Sequence, residues 1–220
     1  SFDCVIWSTT RDWVDFDLKL SPLEGKQANE CFVLGPVQQV SAGELATLAK
    51  TVGSIHASTL PRCAYHFTFT VYENRNSQQL DLGPFYRVLV ISSGPEIEPI
   101  RVAITGLVRG EVQLVGGEKD QIPLGSFRSD RGTTKVVTLV APKNVTLEYA
   151  RVTTDAIKSK LELAEERDGR RFWKLIVEAP PESFTGDLQS AAIVLKVKKG
   201  DSKEAPERSL RIPVTGNAYR

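Results

Sequence analysis

Residues 82–108, LGPFYRVLVISSGPEIEPIRVAITGLV, decide the fold. They read as an apolar strand, a turn carrying Gly94, Pro95 and Pro99, and a second strand. The second half returns near the C-terminus: Ile100-Arg101-Val102-Ala103-Ile104-Thr105-Gly106 is echoed by Leu210-Arg211-Ile212-Pro213-Val214-Thr215-Gly216. From Gly106 to Gly216 is 110 positions, close to one immunoglobulin-like sandwich of about 100 residues. The echo therefore predicts an all-β chain of two tandem immunoglobulin-like sandwiches, residues 1–108 and 109–220. Residues 107–110 are the only candidate linker.

Outward from that stretch, the first half is irregular. Residues 13–20 alternate, with Val14, Phe16, Leu18 and Leu20 on one face and Asp15, Asp17 and Lys19 on the other, as in a half-buried strand. Residues 65–72 alternate likewise, with Tyr65, Phe67, Phe69 and Val71 opposite His66, Thr68 and Thr70. Between them, Ser41-Ala42-Gly43-Glu44 fits a capping box ahead of Leu45, Leu48 and Val52, with Gly53 as a stop. The rival reading makes Ala42-Gly43-Glu44 a turn between strands. Residues 85–91 are apolar on both faces and predict a central strand.

The second half is regular. Strands are expected at 111–115, 121–127, 133–140, 145–152, 157–164, 171–178, 191–198 and 209–215. Asp168-Gly169 marks a tight hairpin, since both central residues of such a turn need positive φ. Residues 199–207 read as a solvated hairpin tip, and Thr154-Asp155 offers a competing helix cap before Ile157. Pro213 donates nothing to a ladder, which predicts an edge or a bulge for the last strand.

Composition narrows the function classes. In 220 residues, 41% are apolar and 25% charged, ordinary for a globular chain. Twenty-eight basic against 27 acidic side chains leave no field to attract nucleic acid. No apolar run approaches the roughly 18 residues of a membrane span. The chain holds no methionine, so a processed or trimmed start, with a removed signal segment as one case, is expected. Cys4, Cys31 and Cys63 allow three alternative single disulfides in an oxidising compartment, or serve as small core residues in a reducing one.

A resemblance enters at Gly83-Pro84-Phe85 through Gly106-Leu107-Val108, at Ile122-Pro123-Leu124-Gly125-Ser126-Phe127, and at residues 210–216. This pattern, over roughly residues 80–218, resembles a bacterial envelope-associated immunoglobulin-like family of unknown function, similar to the Hydin-type domains of cilia. The resemblance implies the sandwich fold and an extracytoplasmic location, in the periplasm or cell envelope. It implies no catalytic residue, and the Cys-Gly-Cys-Thr segment usual in that family's first domain has no counterpart here.

Three constellations invite chemistry. His56, Cys63 and His66, spaced His-x6-Cys-x2-His, are the only cluster of soft ligand types, and Cys63 with either histidine is a conceivable nucleophile–base pair. Neither spacing matches an established site, and packing or surface roles are the simpler explanation. Asp15 and Asp17 share a strand face but are explained as solvent-facing residues. Trp7, Trp13, Tyr72 and Trp173 could form a stacking platform, although strand aromatics more often serve the core. Asn144-Val145-Thr146 matches a glycosylation triplet by pattern alone and is assigned no role. There is no Gly-x-Ser-x-Gly, phosphate-binding glycine loop or His-Glu-x-x-His.

The expectation is a non-enzymatic extracytoplasmic module that binds or spaces proteins or envelope components, with no catalytic, cofactor or metal residues. The alternatives are an enzyme or metal-binding protein built on His56, Cys63 and His66, and a carbohydrate-binding module using exposed aromatics. Binding groups are expected in residues 21–64, where the sequence is least periodic.

Overall fold

The computed structural model describes residues 1–21, 29–55, 60–94, 96–118, 120–200 and 207–220. Among the described residues the chain is all-β apart from one α-helix and one short 3-10 turn, and it divides into two compact units. One comprises Ser1–Leu80 and Tyr86–Ile104, the other Asp81–Phe85 and Thr105–Arg220.

The strands of the first unit are β1 (Phe2–Ser8), β2 (Asp17–Leu20), β3 (Phe32–Leu34), β4 (Gln38–Gln39), β5 (Cys63–Val71), β6 (Asn74–Arg75), β7 (Gln78–Gln79), β8 (Gly83–Ser92) and β9 (Ile100–Val108), of which the start of β8 and the end of β9 belong to the second unit. One sheet has the order β1-β5-β3, with β4 also on β5, and another the order β2-β8-β9. These are the B-E-D and C-F-G orders of an immunoglobulin sandwich. Phe67 and Phe69 of β5 and Leu89 of β8 are buried, as the alternating pattern requires. Phe32 stacks on Phe69 at 6.3 Å between ring centroids, and Phe16 meets Tyr65 edge-on at 5.0 Å. The Asn76-Ser77 pair joins β6 to β7 with both residues at positive φ, a two-residue hairpin turn.

Between β4 and β5 lies helix α1 (Ala42–Ile55). Ser41 and Glu44 cap it reciprocally. The Ser41 amide and hydroxyl donate to Glu44 Oε2 at 3.1 and 2.7 Å, and the Glu44 amide donates to Ser41 Oγ at 3.4 Å. The capping-box reading is therefore right and the turn reading is not. Gly53, expected as the stop, lies inside the helix.

The second unit holds β10 (Gln113–Val115), β11 (Ile122–Arg128), β12 (Thr133–Pro142), β13 (Val145–Val152), β14 (Lys158–Arg167), β15 (Arg170–Ala179), β16 (Gly186–Asp187), β17 (Ala192–Lys199) and β18 (Glu207–Tyr219). Its sheets run β10-β12-β15-β14 and β11-β18-β17-β13. That is A-B-E-D facing A′-G-F-C, with the parallel β11–β18 pair supplying A′ against G. All eight expected strands are present, within a few residues at each end. Ile122, Leu139, Ile157, Leu175, Ile193 and Leu195 are wholly buried between the sheets. Asp168 and Gly169 turn β14 into β15 with φ of 50° and 71°. Thr154 caps no helix; its Oγ1 accepts from the Ala156 amide at 3.2 Å in a local turn.

Pro213 corrects one expectation. β18 is an interior strand, paired with β17 on one side and β11 on the other. The Arg211 amide donates to Leu82 O at 2.9 Å, so odd-numbered positions of β18 point away from β17. Leu82 bridges Leu210, and β11 begins pairing at Val214. Pro213 therefore sits where one neighbour hands over to the next, a position whose ladder lacks no donor. The echoed segments are the G strands of the two units, β9 and β18. Their glycines make room: a Cβ on Gly106 would strike the Phe85 ring, and one on Gly216 would lie 3.1 Å from Leu124 Cβ.

Candidate functional site

Strand register builds an open concavity in the first unit. Antiparallel pairing sets Asp17 opposite Ser92 and Leu18 opposite Ile91. This carries the segment before β2 alongside the turn after β8. Arg11, Trp13, Asp15, Phe16, Asp17, Ser92, Ser93 and Gly94 line an open cleft of about 480 Å³.

Two hydrogen bonds hold its walls. Tyr65 Oη accepts from the Val14 amide at 3.0 Å, and Ser93 Oγ donates to the Asp15 carbonyl at 2.8 Å. The alternation read over residues 13–20 persists in exposure, but ladder pairing is confined to Asp17–Leu20. Phe16 is drawn in against Tyr65, which leaves Trp13 63% exposed on the rim. Asp17 pairs with Lys19 at 2.6 Å, and this bond raises the Lys19 pKa. The cleft thus combines an indole face, a guanidinium and two carboxylates. Such groups stack on and hydrogen-bond polar ligands, and Asp15 and Asp17 are exposed to solvent.

The cysteine–histidine constellation separates. Cys63 and His66 lie on β5 three residues apart, so their side chains leave opposite faces of the sheet. Cys63 is buried in the core, whereas His66 is on the outer face with Nε2 3.5 Å from Asp3 Oδ1. They cannot converge on one ion or one reacting atom. His56 lies outside the described residues. Cys4, Cys31 and Cys63 are free thiols, and burial raises the pKa of Cys31 and, more than the neighbouring Asp3, that of Cys4.

The aromatic group also divides. Trp173 is core, 4% exposed on β15 opposite Leu139 of β12, whereas Trp7, Trp13 and Tyr72 reach solvent. Tyr72 takes a cation–π contact from Arg75 at 5.1 Å. The least periodic stretch is not simply loop, because Cys31 and Phe32 are core residues and β3 completes a sheet.

Two features escaped sequence reading. Arg87 is buried in β8, with its guanidinium 4.8 Å from the Phe32 ring centre. The strand β1 was not foreseen, since FDCVIWS is apolar at both parities and shows no period of two.

No family model matches the chain, and no curated protein matches it. Solved structures give weak likenesses. Domains 5-6 of the S-layer protein SbsC align over 91% of this chain and 81% of that one, at 10% identity and a TM-score of 0.24. Zebrafish RET cadherin-like domains 1 to 4 align over 87% of this chain and 42% of that one, at 12% identity and a TM-score of 0.27. A titin Ig tandem aligns over 91% and 82%, at 9% identity and a TM-score of 0.20. At such scores the immunoglobulin-like assignment rests on the strand order of the two units, which stands without them.

Proposed function

We propose that the chain is a non-enzymatic interaction module whose second unit is scaffold and whose first unit carries the binding surface. The observation that supports this most is the contrast between the units. The second has short turns over a continuous core. The first carries the inserted helix, the cleft and two exposed tryptophans. Core strands resist change while surface groups on a rigid sheet vary freely, so recognition gathers on the first unit. Membership of the bacterial envelope-associated immunoglobulin-like family, and an extracytoplasmic location with it, belong to the same proposal and follow from the sequence resemblance.

The test is retention of an envelope protein from a native extract on immobilised chain. Trp7→Ser with Trp13→Ser should cut retention at least tenfold, and Leu163→Ser on the second unit should not. Loss with Leu163→Ser alone would sink the assignment. The exposed Trp13 beside Arg11, Asp15 and Asp17 favours a second reading, a carbohydrate-binding cleft. Oligosaccharide binding abolished by Trp13→Ser alone would establish that reading instead.

A further inference from the structure

The cleft of the first unit lies between its B–C and F–G connections, since β1 and β2 are the B and C strands and β8 and β9 the F and G strands. Residues 11–17 form one wall and residues 92–94 the other. Which groups of these walls are already engaged decides what the cleft can bind.

The backbone of the walls is engaged. Tyr65 Oη accepts from the Val14 amide, the Asp15 carbonyl accepts from Ser93 Oγ, and from Asp17 onward β2 pairs with β8. A peptide added here as a strand would find these groups taken, so recognition falls to side chains.

The side chains leave a particular set free. Asp12 accepts two bonds from Arg62 at 2.8 and 2.9 Å, and Asp17 holds Lys19 at 2.6 Å. Among the described residues, the side chains of Arg11 and Asp15 make no hydrogen bond or ion pair. They stand two positions to either side of Trp13, whose ring is 63% exposed. One free charge of each sign leaves the cleft neutral. A ligand with net charge is attracted by one and repelled by the other. An uncharged polyol uses both, because a hydroxyl accepts from a guanidinium and donates to a carboxylate. A flat apolar face bounded by a donor fork and an acceptor pair complements a ring that is apolar on its face and hydroxylated at its rim.

We infer that this cleft binds a neutral saccharide, one pyranose ring stacked on Trp13 with its hydroxyls donating to Asp15 and accepting from Arg11. The cleft is open, so it admits an internal ring of a longer chain. This rests on the second reading of the cleft given above and narrows it to uncharged sugars.

The experiment is calorimetric titration of the full chain with hexasaccharides. Cellohexaose, maltohexaose and N-acetylchitohexaose are the neutral probes; chitosan hexaose is the cationic probe and hexagalacturonate the anionic one. At least one neutral probe should bind saturably, with an affinity unchanged from low salt to about 1 M, because no net charge is there to be screened. Trp13→Ala should weaken it at least tenfold, and Trp13→Phe, which keeps a ring, only severalfold. Arg11→Gln and Asp15→Asn should each weaken it severalfold. Trp7→Ala, which removes an exposed tryptophan outside the cleft, should change nothing. All four positions are exposed, so the variants keep the core intact. No binding by any neutral probe at millimolar concentration would overturn the inference. So would tighter binding of a charged probe, loss of binding in salt, or indifference to Trp13. Envelope-protein retention that depends on Trp13 while no neutral probe binds would leave the module reading standing and remove this one.

Discussion

Leu82 lies between stretches that belong to the first unit, yet its side chain is buried in the core of the second. Leu82→Ala tests that division. The Leu82 amide donates to Ser209 O at 2.8 Å, and its carbonyl accepts from Arg211 at 2.9 Å. Both bonds survive in alanine, so only the side chain is lost. Three buried carbons at about 0.8 kcal/mol each give roughly 2.4 kcal/mol. Incomplete collapse of the cavity brings the expected cost to about 3–4 kcal/mol. For a unit of this size that lowers Tm by about 10–15 °C. Of the three tryptophans, only Trp173 belongs to the second unit. In a Trp7→Phe, Trp13→Phe background its fluorescence reports that unit alone. Leu82→Ala should shift the Trp173 transition, and Tyr86→Ala, which trims an exposed ring, should leave it in place. An unmoved Trp173 transition with Leu82→Ala would refute the assignment.

Three further outcomes are expected. Gly83 has φ of 102° and a Cβ there would strike the Arg211 carbonyl, so Gly83→Ala should destabilise the second unit by about 1–3 kcal/mol in urea melts followed at Trp173. The hydroxyl and amide of Ser41 hold the Glu44 pKa below its ordinary value, so the cap is intact above the unfolded carboxylate pKa and is lost as pH falls through the folded one. Amide exchange at the start of α1 should therefore quicken in acid, and Glu44→Gln should abolish that pH dependence. Ser159 Oγ is buried and finds no hydrogen-bond partner among the described residues, so Ser159→Ala should stabilise the second unit by about 1 kcal/mol; a loss of stability in denaturant melts would show that the hydroxyl is satisfied.

What the sequence by itself determined is local and periodic. Alternation at Phe67 and Phe69, the capping box at Ser41 and Glu44, and the positive-φ pair Asp168-Gly169 each state their conformation within a few residues. The spacing of two Thr-Gly segments announced the repeat, because equivalent G strands meet equivalent packing. Tertiary structure decided whatever depends on a partner distant in the chain. Pro213 became an interior residue because Leu82 and β11 share the flank of β18, which no local rule contains. Cys63 and His66 were parted by the parity of β5 once its buried face was chosen. The cleft exists only because Asp17 pairs with Ser92. Periodicity specifies which face of a strand is buried; which edge is left unpaired is a property of the assembled sheet.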